Sequence, residues 1–136
     1  MKASIHLAFN GQCAAAFKFY EKCLGTKICF TMTYGQSPAA GKSSPDMRDK
    51  VIHTSMAVGE STITGADAPP DHYKKPQGNS VLLDVDTPAD AERVFAALGE
   101  RGTVQMPIQE TFWAKRFGML VDQFGVPWMI NCPKPM

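Results

Sequence analysis

The chain has 136 residues, 44% hydrophobic and 20% charged, which suits one domain or two small halves sharing a core. Fourteen Lys/Arg against thirteen Asp/Glu leave a formal net charge of +1 with no basic stripe, so neither nucleic acid nor a membrane surface is an expected partner. The opening residues Met1 to His6 lack the apolar run of a signal peptide, and no stretch approaches the roughly 18 apolar residues of a membrane span, so the expected location is the cytoplasm.

Taken in order, Ala3 to Phe9 alternates and reads as a strand, broken by Asn10-Gly11. Cys13, Ala16, Phe17, Tyr20 and Leu24 recur at helical spacing, and Gly25 sits where a C-terminal cap belongs. Lys27 to Tyr34 is rich in β-formers, Gln36 to Lys50 reads as a loop, and Val51–Val58 with Ser61–Gly65 reads as a hairpin turning at Gly59-Glu60. Pro69, Pro70 and Pro76 exclude regular structure from the loop between Asp67 and Gly78. The pattern then restarts. Ser80 to Val85 is a strand, Thr87 an N-cap with Pro88 at the first helical position, and Ala91, Val94, Phe95 and Leu98 form one helical face. Thr103 to Gln109 follows as a strand that Pro107 assigns to an edge or bulge. Phe117–Val121 and Val126–Asn131 close the chain as a hairpin, with Trp128 on the parity expected to pack against a helix.

Laying Ala14 on Ala89 also lays Ala16 on Ala91, Lys18 on Arg93, Tyr20 on Phe95 and Cys23 on Leu98 without a gap. The order strand, helix, three strands thus occurs twice. One such unit of about 60 residues buries little surface alone. Two of them pairing edge to edge predict an α+β fold, a mixed, curved sheet with helices on one face and a concave cleft on the other, the kind of place where small ligands bind.

Cys13, Cys23, Cys29 and Cys132 form no CxxC pair and are expected to be structural thiols. His6, His53 and His72 are scattered and make no metal motif. The run from Gly35 to Gly41-Lys42-Ser43 imitates a phosphate-binding loop, but its glycine spacing is too long, Pro38 interrupts it, and no helical pattern follows Ser43.

The segment Gln109-Glu110-Thr111-Phe112-Trp113-Ala114-Lys115-Arg116-Phe117-Gly118, followed by Asp122-Gln123-Phe124-Gly125-Val126-Pro127-Trp128-Met129-Ile130-Asn131, resembles PhnB-like proteins of the vicinal-oxygen-chelate (glyoxalase/bleomycin resistance/dioxygenase) superfamily. Phe9-Asn10-Gly11-Gln12-Cys13, Phe19-Tyr20, Leu24-Gly25 and Ala66-Asp67-Ala68-Pro69 fit the same pattern, so the resemblance spans nearly the whole chain. It implies one domain over 1–136, with a βαβββ module at about 1–67 and a second at about 79–133, and a homodimer.

Members of that superfamily resembling glyoxalase I hold a divalent metal with a His or Gln on the first strand, a Glu on the fourth, a His on the fifth and a Glu on the eighth. By pattern these positions fall on Ile5, on Thr62 or Thr64, on Ser80 and on Met129. Ile5 and Met129 cannot bind a hard cation, so no metal and no cofactor are expected. His6 lies one residue from the first position, and strand alternation puts it on the face opposite Ile5.

The expected ligand pocket has an apolar floor of Ile5, Leu7, Leu82 and Met129, with Ser80 and Asp84 as polar exceptions and Asp84 able to meet a ligand cation. Phe112 and Trp113 are expected chiefly as plugs of the core; in the alternative they wall the pocket, with Glu110 or Arg116 supplying charge. The sequence thus points to a protein that binds a small, partly apolar molecule, as the resemblance to bleomycin-resistance proteins suggests. The alternative is a metal-dependent lyase, isomerase or dioxygenase of the same superfamily, in which a divalent metal polarises vicinal oxygens.

Overall fold

The alternating N-terminal residues form strand β1 (Ile5–Phe9), and the helical stripe forms α1 (Cys13–Leu24). The structure is a computed structural model that describes residues 1–38 and 40–135; Ala39, inside the loop expected over 36–50, and Met136 lie outside the described residues. Contacts divide the chain into two compact units, Met1–Lys74 and Lys75–Met136. No helix among the described residues is long and apolar enough to cross a membrane.

In the first unit β2 (Ile28–Thr33), β3 (Val51–Val58) and β4 (Ser61–Asp67) complete a four-stranded sheet in the order β1-β4-β3-β2. β1 runs parallel to β4 and the other neighbours are antiparallel. The fully buried Cys13, Ala16, Phe17 and Tyr20 of α1 lie against this sheet, with the Phe17 ring edge-on to Phe9 at 6.2 Å. Gly25 ends α1 in the left-handed region at φ 67°, its N–H bonding Glu21 O at 2.9 Å.

The start of α1 has no side-chain cap from its own N-cap residue, Gln12. Asp67 at the end of β4 supplies it from across the unit: its carboxylate accepts from the backbone N–H of Cys13 and of Val51, both at 2.9 Å. Between β2 and β3 the chain makes short 3₁₀ turns at Tyr34–Gln36, Ala40–Lys42 and Pro45–Met47 and then enters β3. The phosphate-loop imitation therefore leads into no α-helix.

The second unit repeats the order with β5 (Val81–Asp84), α2 (Pro88–Leu98), β6 (Thr103–Gln109), β7 (Ala114–Val121) and β8 (Pro127–Pro133), arranged β5-β8-β7-β6. Again the first strand is parallel to the last. Thr87 caps α2 as expected, its hydroxyl accepting from Asp90 N at 3.1 Å. Pro107 sits on the edge strand β6, where the register shifts twice. Trp128 is fully buried, and its indole N–H donates to Asp122 at 2.9 Å. Asp122 also accepts from Phe124 N and Val126 N, which fixes the β7–β8 turn.

β7 begins at Ala114, earlier than the expected Phe117, because Ala114 pairs with Pro133 and Arg116 with Cys132. The charges of Lys115 and Arg116 mask the strand in the sequence. Arg116 turns toward α2 and bridges Glu92 at 3.0 Å.

Candidate functional site: the open faces of the two sheets

A strand sends alternate side chains to opposite faces, so one anchored residue assigns a whole strand. On β1 the anchor is Phe9, edge-on to Phe17 of α1. Leu7, buried, and Ile5 share its side, so both face α1, while the exposed His6 faces away. This corrects the expected apolar floor. Ile5 and Leu7 belong to the helix-facing core, and His6 occupies the open face in their place.

His6 pairs in register with Thr64 of β4, and its Nδ1 lies 2.7 Å from the Thr64 hydroxyl. Thr64 is in turn opposite Ser55 of β3, and His53 stands two residues along the same strand. Phe30 of β2, 47% exposed, packs its ring 6.0 Å from His53. Partial burial, and then the neighbouring His53, push the His6 pKa below the usual 6.5. The open face of the first unit is thus polar, with a neutral imidazole bonded to a hydroxyl.

In the second unit Gly118, Leu120, Trp128 and Ile130 are buried, and Gly118 lies beneath Phe95 of α2. The intervening residues face the open side. Leu82 on β5 pairs with Met129 on β8, Met129 with Met119 on β7, and Met119 with Met106 on β6. This apolar row crosses all four strands, and Leu82 is 54% exposed. Leu82 and Met129 were expected on this side; Met119 and Met106 were missed. The bulges in β6 and the misjudged start of β7 hid their alignment.

On one side of the row an open hollow of about 650 Å³ is lined by Ser80 and the segment leading to it from Lys75, together with Thr103, Gln105, Met119 and Val121. On the other side Asp84 accepts from the Asn131 side-chain amide at 2.8 Å. The side-chain oxygen of Asn131, Oδ1, is buried without a hydrogen-bond partner among the described residues. Phe117 pairs with Asn131 and lies under Trp113, ring to ring at 5.3 Å, and Phe112 leans on Trp113 at 4.7 Å.

Phe112 is 89% and Trp113 43% exposed, so the expectation that they plug the core is overturned. Phe117 takes the buried position, and the connector carrying Phe112 and Trp113 folds over it. Glu110 is committed to Lys134 at 2.9 Å, a bond that holds its carboxyl below the usual range. Arg116 is turned to α2 and adds no charge to this face.

Among the described residues no group of three or more His, Cys, Asp or Glu is gathered where one ion could be held. The position opposite His6 is a hydroxyl, Thr64, and the open-face residues of β5 and β8 include Leu82 and Met129.

The family model described as Glyoxalase/Bleomycin resistance protein/Dioxygenase superfamily matches residues 5–130. The chain is 33% identical to protein YjdN of Escherichia coli (strain K12), over 98% of this chain and 97% of that protein. Among solved structures, protein PA1353 from Pseudomonas aeruginosa is 40% identical, with a TM-score of 0.90 over 99% of both chains. The PhnB protein of Bacillus cereus, 22% identical over 97% of this chain and 99% of its own, shares the fold with a TM-score of 0.80. Two βαβββ units, each with its first strand parallel to its last, together with a family match across nearly the full chain, place this protein in the glyoxalase/bleomycin resistance protein/dioxygenase superfamily.

Proposed function

We propose that this chain is a small-molecule-binding member of its superfamily that works without the full metal tetrad and holds a partly apolar ligand on the open face of its second sheet. The observation that carries this reading is the row Leu82, Met129, Met119 and Met106, in register across the sheet, whose Met119 also lines a hollow of about 650 Å³. Thioether side chains are flexible and polarisable, so such a row adapts to apolar and aromatic surfaces. Ser80 and Asp84 flank the row as polar contacts. Phe112 and Trp113 form an aromatic wall beyond Asp84, and Glu110 serves at the rim through its ion pair. Ile5 and Leu7 have no part in the pocket.

Titration of chelator-dialysed protein with the neutral dye Nile red tests the reading. The expected result is saturable, blue-shifted fluorescence that Met119→Glu abolishes while the circular dichroism spectrum stays unchanged. Absence of saturable binding by the folded wild type contradicts it.

His6 favours a second reading, a metal-dependent lyase, isomerase or dioxygenase. It faces the open side, and burial together with His53 favours the neutral imidazole that metals bind. Metal analysis of protein purified without chelators separates the two. A stoichiometric transition metal that is lost in His6→Gln establishes the second reading and removes the first. We also propose a cytoplasmic homodimer, for which light scattering gives a mass near twice 14.9 kDa.

A further inference from the structure

The two sides of the methionine row differ in charge. Among the described residues lining the hollow, Lys75 alone carries a charge, and no carboxylate is present. Lys75 has no ion pair among the described residues. Around it the lining is rich in neutral hydrogen-bonding groups, the amides of Gln77, Asn79 and Gln105 and the hydroxyls of Ser80 and Thr103. The opposite end of β5 carries the exposed carboxylate of Asp84, one oxygen of which is bonded to Asn131. Four strand steps separate Ser80 from Asp84, about 13 Å at the usual rise. A cation and donors on one side, thioethers in the middle and a carboxylate on the other side make a face with a defined polarity.

We propose that the natural ligand is an organic acid whose anionic group enters the hollow beside Lys75 and whose apolar body lies along Met119 and Met129. An unpaired ammonium next to amide and hydroxyl donors suits a carboxylate, because charge-assisted hydrogen bonds are the strong ones. Asp84 repels the same group from the far side of the row and so fixes the ligand's direction. The inference rests on the binding reading above and adds the charge and orientation of the ligand.

Calorimetric titration of the full chain with cinnamate and with its neutral methyl ester tests it, with Nile red binding as the control for the site itself. Cinnamate binds the wild type about tenfold more tightly than the ester, the difference one good charge-assisted contact supplies. In Lys75→Ala that preference disappears and in Lys75→Arg it is kept, while both variants still bind Nile red saturably. Lys75 is exposed, so these variants fold. If Nile red binds the wild type while cinnamate and its ester bind equally or not at all, the ligand is not an acid held at Lys75 and the inference is overturned. The same follows if Lys75→Ala leaves the preference intact. If Nile red fails to bind as well, the site is refuted and the inference falls with it.

Discussion

Gly65 on β4 lies directly beneath the ring of Phe17 on α1: a Cβ built on the glycine would sit 2.5 Å from the ring's Cε1 and 3.3 Å from the Cys13 sulfur. The second unit repeats the device with Gly118 on β7 and Phe95 on α2, again at 2.5 Å. In each case a missing side chain lets an aromatic ring of the helix settle onto the sheet. Gly65→Ala is therefore expected to lower stability by about 1–3 kcal/mol, the usual cost of overpacking a core. A urea midpoint equal to that of the wild type would show that Phe17 has room to move.

Asp67 holds the start of α1 and the start of β3 at once, through Cys13 N and Val51 N. Asp67→Ala leaves both donors buried and unpaired, at a cost of about 2–5 kcal/mol. Asp67→Asn keeps one acceptor oxygen and should recover part of that loss. Equal melting temperatures for the two variants would contradict the capping role.

This cap also marks where the sequence was hard to read. Thr87 announces α2 locally, whereas α1 has only Gln12 before it and takes its cap from a residue far along the chain, on β4. The βαβββ order, the Gly25 cap and the burial of Trp128 were legible because each depends on near neighbours in sequence. The orientation of β1 was not. Ile5, Leu7 and Phe9 alternate equally well in either orientation, and only the contact with Phe17 decides it. Likewise Phe112 looks like core until Phe117 is seen to occupy the buried position. For the site, Leu82 and Met129 could be placed from strand parity, but Met106 and Met119 join them through a shifted register that no periodicity reveals.

The thiols are expected to differ in reactivity. Cys13, Cys23 and Cys132 are buried and Cys29 is exposed. Burial, and then the Asp67 charge, push the Cys13 thiol up to about 12, far from its reactive thiolate form. A thiol-disulfide reagent should rapidly titrate Cys29 alone in the native protein and all four cysteines in denaturant. Rapid labelling of Cys13 in the folded state would contradict the packing of α1.

The His6 imidazole should titrate below 6.5, and His53→Gln should raise its pKa only part of the way, because burial is the larger cause and His53 the smaller. A folded-state pKa below the unfolded value means that the unfolded chain binds more protons between the two. The stability contributed by neutral His6 is complete above pH 6.5 and is lost as the pH falls from there through the folded-state value. His6→Gln removes this part of the acid sensitivity. Imidazole proton shifts followed by NMR against pH check the order, and a His6 pKa at or above 6.5 would contradict the assigned environment.

The most direct test of ligand binding on the second open face is the methyl spectrum of methionine-labelled, chelator-dialysed protein titrated with Nile red. The methyl signals of Met119, Met129 and Met106 should shift together and saturate, while those of the buried Met47 and Met56 stay in place. Stationary Met119 and Met129 signals, or shifts that appear only after a divalent metal is added, would contradict it.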